Sequence, residues 1–237
     1  RATPGHTERR PGHTRGPPAS ANRWRFPGGN RTGKGEGDLP GHMVQMESED
    51  VLARGDEAPP FSLPGVDGEM HDLADYADEY DAVLVVFTCN HCPYAQAKFE
   101  ELNRLADEFE DLAVVGINPN DETQYPEDDA ETMREWVEEG RIRYDAYLRD
   151  ESQAVAAAYG ATCTPDPFLL ENDEGTYRLV YHGRLDDAMN PDEDPTEREM
   201  AAIVDRLLAG EKIDDEFRPS RGCSIKWREG NEPDYWD

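Results

Sequence analysis

The sequence lacks any run of about eighteen apolar residues, so nothing in it reads as a helix that crosses a membrane. The N-terminus also lacks the apolar core of a secretory signal, and the cytoplasm is the expected compartment. Lysine is scarce: after residue 42 only Lys98, Lys212 and Lys226 occur. That region carries sixteen Lys and Arg against fifty Asp and Glu. Such an excess of negative charge repels nucleic acid and anionic membrane, and neither is expected as a partner. The acids are spread along the chain rather than gathered in one patch, which points to a salt-loving source more than to a local acidic docking surface.

Cysteine is limited to Cys89, Cys92, Cys163 and Cys223. Only the first two are close in sequence. A zinc site would need a second ligand pair, so no metal and no other cofactor is expected. A disulfide inside Cys-x-x-Cys closes a strained ring, and strained disulfides are labile rather than structural. Redox chemistry is therefore the leading reading of Cys89 and Cys92, with two idle buried thiols as the alternative.

The surrounding pattern strengthens it. Val83-Leu-Val-Val-Phe87 is a short β-branched run, the mark of a strand buried on both faces. It stops at Thr88-Cys-Asn-His-Cys-Pro93, after which Ala95, Phe99, Leu102, Ala106 and Phe109 recur with helical spacing. The dithiol thus falls where a buried strand becomes a helix, and free amides and the helix dipole at that point favour a thiolate. Cys89 is expected at the exposed helix start as the attacking sulfur, with Cys92 one turn in as the resolving one. A charged imidazole at His91 would depress the Cys89 pKa further. Pro93 suits the first helical turn.

Residues 1–46 form a basic leader rich in Pro, Gly, Arg and His, expected to be disordered. It reads as a tag or a gene-model extension, with Met43 or Met46 as the start. Residues 47–211 alternate strands and helices as one α/β domain with a mixed sheet flanked by helices. The readings include a turn at Asp67-Gly68, a strand over Leu112–Ile117, and a helix bearing Met133, Trp136 and Val137 on one face. A helix capped by Ser152, a hairpin around Asp173-Glu-Gly175, and a last helix opened by the capping box Thr196–Glu199 complete the domain. The tail 212–237 holds Ile213, Phe217, Ile225, Trp227, Tyr235 and Trp236, too much apolar surface to leave in water, so it is expected to dock on the domain.

Three separated segments carry a resemblance to the thioredoxin superfamily, in its peroxiredoxin-like or redoxin (AhpC/TSA-type) branch. They are Cys89-Asn-His-Cys-Pro93, Cys163-Thr-Pro-Asp166 and Gly222-Cys-Ser-Ile-Lys-Trp227. The Ala58-Pro-Pro-Phe-Ser-Leu63 entry is similar as well. The resemblance implies a thioredoxin-like fold and thiol–disulfide exchange with protein or small-molecule disulfides and a thiol reductant. It also implies that Pro165 is a cis proline facing the dithiol, with Thr164 before it. Thr88, Asn90, His91 and Pro93 then complete the surroundings of the site. Cys163 lies two residues before Pro165, and a second redox pair between Cys163 and Cys223 is expected, weighed against two small buried hydrophobes.

The chain departs from the pattern too. Thioredoxin has Trp before the first cysteine and an acid in the preceding strand; here Thr88 precedes Cys89, and Val83–Phe87 contains no acid. The peroxiredoxin Pro-x-x-x-Thr-x-x-Cys is absent, since Ala82 and Val86 stand before Cys89, and Val85 and Cys89 before Cys92. Disulfide exchange is favoured over its alternatives, an atypical thiol peroxidase taking peroxides or a non-catalytic binding module of the same fold.

Overall fold

The computed structural model describes residues 45–49 and 51–236. The expected leader therefore lies outside the described residues except for its last two, and those belong to the fold. In chain order the strands and helices are β1 (Gln45–Glu47), β2 (Ser62–Pro64), β3 (Met70–Asp72), β4 (Ala82–Phe87), α1 (Pro93–Gln96), α2 (Phe99–Glu108) and β5 (Leu112–Asn118). They continue with α3 (Ala130–Glu138), β6 (Ala146–Arg149), α4 (Ala154–Tyr159), β7 (Cys163–Thr164), β8 (Asp166–Asp173), β9 (Thr176–His182), α5 (Glu199–Leu208) and β10 (Arg221–Ser224). Three short 3₁₀ turns cover Leu73–Asp78, Pro126–Asp128 and Asp234–Trp236.

The central sheet has the order β6-β5-β4-β8-β9, with β4, β5 and β6 parallel and β8 and β9 antiparallel. This is the α/β thioredoxin-like fold. β4 sits in the middle, and its residues alternate between two cores because a strand has a side-chain period of two. Val83, Val85 and Phe87 face the core that holds Tyr159, Ala156 and Phe168. Ala82, Leu84 and Val86 face the core built on Leu102 and Leu105 of α2 and Ile203 and Val204 of α5. All six are fully buried, which is why the run is apolar throughout instead of alternating.

A second, three-stranded antiparallel sheet joins β1, β10 and β7. Here the boundary expected at residue 46 is corrected: Gln45 and Met46 pair with Cys223 and Gly222, so the strand entering the domain starts before the expected break. The same sheet sets the tail directly beside Thr164. Gly222 makes that approach close, since a Cβ there would stand 2.0 Å from Thr164 O.

Several local expectations are also revised. The helix after Pro93 is broken at Ala97–Lys98 into α1 and α2, and Lys98 Nζ leaves the break to bind Asp186 Oδ1 (2.5 Å) and Ala188 O (2.8 Å). Val137 is exposed, not packed beside Met133. Gln153, with φ of 63°, occupies the N-cap of α4 where Ser152 was expected. Thr196 does not cap α5; its hydroxyl and amide are held by Asp187, and Arg198 stands at the cap position. Among the described residues no helix is long and apolar enough to cross a membrane.

Candidate active site

β4 delivers the dithiol. Thr88 N still donates to Ile117 O (2.8 Å), so the β4–β5 ladder runs one residue past Phe87 and releases the chain at the carboxyl edge of the central strand. Cys89, Asn90 and His91 make the turn, Cys92 occupies the N-cap, and Pro93 is the first residue of α1, where no N–H is missed.

A buried acid clamps this turn. Asp128 Oδ1 accepts from Asn90 N (2.7 Å) and His91 N (3.2 Å). Its Oδ2 accepts from His91 Nδ1 (2.5 Å) and Asn120 Nδ2 (2.9 Å). Asp128 is fully buried; burial would raise its pKa, but the bond and charge of His91 and the other donors hold it below the ordinary carboxylate value. The His91 ring stacks on Tyr125 with centroids 4.0 Å apart. Asn90 is fixed from two more sides, its Oδ1 accepting from Tyr147 OH (2.8 Å) and its carbonyl from Gln96 Nε2 (2.5 Å). The strand before the dithiol lacks an acid, and Asp128 carries no sequence signal that marks it as a partner of the turn. It comes from the turn after β5 and is one of 53 acids in the chain, with no local mark.

Opposite the turn lies the Thr164–Pro165 peptide, which is cis. Cys89 Sγ is 3.1 Å from Thr164 Oγ1, and Cys92 Sγ is 3.5 Å from Thr164 O. Pro165 is held from behind: Ser220 Oγ donates to its carbonyl (3.0 Å), and the following Asp166 is buried against His182 Nε2 (2.7 Å). A ring nitrogen of His91, Cys89 Sγ and an Asp128 oxygen lie within 4.8 Å of one another, a spacing a metal could bridge. Asp128 already accepts four hydrogen bonds, the full capacity of a carboxylate, so it has no lone pair to give a cation.

The AhpC/TSA family pattern matches residues 54–181, a span that holds the dithiol turn, the Asp128 clamp and the cis peptide. The chain belongs to the AhpC/TSA family. A crystal structure of an uncharacterized conserved protein from Geobacillus kaustophilus is 40% identical, covering 78% of this chain and 97% of that one with a TM-score of 0.72. A crystal structure of a hypothetical protein from Sinorhizobium meliloti 1021 is 39% identical, covering 78% and 99%, with a TM-score of 0.71. No curated protein matches the chain. Family and fold together make this AhpC/TSA chain a thioredoxin-like oxidoreductase in the general sense.

Within this AhpC/TSA site the thiols are arranged differently from expectation. Cys89 is not at an exposed helix start; both Cys89 and Cys92 have 0% exposure, and the helix begins only after Cys92. Burial pushes the Cys89 thiol well up, and the neighbouring Cys92 and the Asp128 charge push the same way, with the Thr164 hydroxyl opposing. Cys92 shares its buried cluster with Cys89 and Cys223. Burial would raise its pKa too, yet the neighbouring Cys223 and Cys89 thiols and the amides of Ala95 and Cys223 carry it well below the usual thiol range. Of the two thiols, Cys92 is thus the one its surroundings pull down and Cys89 the one they push up. The 3.5 Å approach of Cys92 Sγ to Thr164 O suits its protonated form, in which the sulfur donates.

The expected pairing of Cys163 with Cys223 is also corrected. Cys223 registers opposite Thr164, and Cys163 opposite Ser224, so the two cysteines are one step out of phase and point to opposite faces of the small sheet. Cys163 Sγ turns to Pro165 O (3.6 Å) and Ser220 Oγ (3.7 Å). Cys223 joins the cluster of Cys89 and Cys92.

Proposed function

We propose that the protein is a thiol–disulfide oxidoreductase in which Cys89 and Cys92 reduce disulfides of proteins or small molecules and are restored by a thiol reductant. The observation that carries this reading is the placement of Cys89 Sγ 3.1 Å from Thr164 Oγ1, beside the cis Thr164–Pro165 peptide, with Cys92 in the same buried cluster. Cys92 rests as thiolate and accepts the Cys89 proton, which leaves Cys89 as the attacking thiolate with the Thr164 hydroxyl donating to it. Attack on a disulfide forms a mixed disulfide at Cys89 and expels the first substrate thiolate, which takes the proton parked on Cys92. The Cys92 thiolate then attacks Cys89 Sγ, closing Cys89–Cys92 and releasing the second substrate thiolate. Asp128 and His91 act as positioning residues that hold the turn in register with Thr164. A reducing compartment, the cytoplasm, suits the dithiol form.

Complete burial of both sulfurs favours one second reading, peroxide reduction, because a small oxidant needs less opening of the site than a polypeptide does. There Cys89 would take the distal peroxide oxygen as a sulfenic acid, breaking the O–O bond and releasing water or an alcohol, and the Cys92 thiol would condense with it to the Cys89–Cys92 disulfide, releasing a water. Insulin reduction measured beside peroxide consumption separates the two. Insulin reduction that Cys89→Ser abolishes supports the first reading; peroxide turnover without it supports the second. Inactivity in both would leave the fold as a binding module.

A further inference from the structure

Two thiols suffice for the chemistry above, yet a third is built into the same cluster. Cys223 stands on β10, which is clamped between β1 and β7, and its strand partner is Thr164 itself. The Cys223 side chain packs in the same buried cluster as Cys89 and Cys92, and Cys92 Sγ reaches the Thr164 carbonyl (3.5 Å) of the residue registered opposite Cys223. Of the three sulfur-bearing residues only Cys223 has any exposure, 2% against 0% for the others. Close beside them is a buried lysine: Lys226 Nζ donates to Ser224 O (2.7 Å) and Ser224 Oγ (3.0 Å) and lies 5.6 Å from the Tyr125 ring centroid. No step of the dithiol cycle uses Cys223 or Lys226.

We propose that Cys223 is a third redox thiol that exchanges with the Cys89–Cys92 disulfide, moving the oxidised bond to Cys92–Cys223 on the tail strand and returning Cys89 as a thiol. This rests on the dithiol reading. The Cys223 thiolate attacks Cys92 Sγ; the Cys92–Cys223 bond forms, the Cys89–Cys92 bond breaks, and Cys89 leaves as a thiolate that takes up the proton Cys223 gave. One disulfide is exchanged for another, so no oxidant is consumed. The timing follows from the charges. In the reduced protein the Cys223 thiol is held protonated first by the neighbouring Cys92 sulfur, then by burial and the Cys92 charge. Once Cys92 is in a disulfide that charge is gone, while the opposing influence of Lys226 remains. Cys223 therefore becomes a nucleophile only after the inner disulfide has formed. A thiol reductant attacking Cys223 Sγ would then regenerate the cluster from its outermost sulfur.

The test is disulfide mapping of the full chain after mild oxidation by oxidised glutathione, with fragmentation of linked peptides under non-reducing conditions. In Cys223→Ser the Cys89–Cys92 link should accumulate. In Cys89→Ser a Cys92–Cys223 link should form, and the partly oxidised wild-type protein should contain both links. A wild-type protein that forms only Cys89–Cys92, with Cys92 and Cys223 remaining free in Cys89→Ser, would overturn the relay and leave the dithiol reading standing. No Cys89–Cys92 link in either wild type or Cys223→Ser would sink the dithiol reading, and the relay with it. Should Cys89→Ser fail to fold, the wild-type map decides alone, because the presence or absence of the Cys92–Cys223 link is read there directly.

Discussion

Replacing Thr164 by Val removes one hydroxyl from the site with almost no change of shape, and the consequence can be worked out. Thr164 Oγ1 sits 3.1 Å from Cys89 Sγ and opposes the rise of the Cys89 pKa. A hydrogen bond to a charged acceptor contributes about 1.5–3 kcal/mol and one between neutral partners about 0.5–1.5, so the thiolate form of Cys89 loses roughly 1–1.5 kcal/mol more than the thiol form. That is about tenfold in the proton exchange between Cys89 and Cys92. A more basic thiolate is also a better nucleophile, with a Brønsted slope of about 0.4–0.5, which returns about threefold. Disulfide reduction should thus fall about threefold. Because the proposed cycle rests the thiolate on Cys92, the fall should occur along the whole plateau of the pH–rate profile, with the midpoint unmoved, and Thr164→Ser should restore it. The assay is single-turnover reduction of an aromatic disulfide across pH, with the melting temperature as a check on folding. A midpoint that moves up by about one unit while the plateau recovers at high pH would mean that Cys89 carries the resting charge, and would refute the assignment.

Asp128→Asn should cost about 3 kcal/mol in urea unfolding at neutral pH, since an amide cannot accept all four bonds now made. The folded Asp128 pKa lies below its unfolded value, so this stability is present above about pH 4 and is lost as pH falls through the lower folded value; the gap between variant and wild type should close in acid. Gly222→Ala should lower the melting temperature and slow disulfide exchange together, because the added methyl meets Thr164 O at 2.0 Å and forces β10 off the site. With a net charge of −29, the protein should melt at higher temperature as salt rises from dilute buffer toward 1 M, where the Debye length is about 3 Å; a flat or falling melting curve would remove the halophile reading.

Much of the scaffold was legible because it is written locally. The run Val83–Phe87 is apolar at every position, as the middle strand of a covered sheet requires, and the hairpin about Glu174-Gly175 announced itself by its turn residues. The site was legible only as far as its spacing reached: Cys-x-x-Cys on a strand-to-helix turn is a local signal, whereas Thr164-Pro165 was legible only through the family resemblance. What escaped is long-range. Asp128 binds a turn 37 residues away, and nothing near it separates it from its neighbours. Gln45 and Met46 look like leader because the strand that pairs with them lies at the other end of the chain. For Cys223 the apolar content of the tail was visible but not its strand pairing. One step of register decides whether its sulfur meets Cys163 or Cys92.

The central claim is that Cys89 forms the bond with substrate and Cys92 resolves it. Cys92→Ser incubated with a disulfide-containing polypeptide measures this most directly. The account predicts a stable one-to-one mixed disulfide whose linked peptide contains Cys89, and rapid release of that complex by added thiol. Capture of the polypeptide by Cys89→Ser through Cys92 instead, with none by Cys92→Ser, would contradict it.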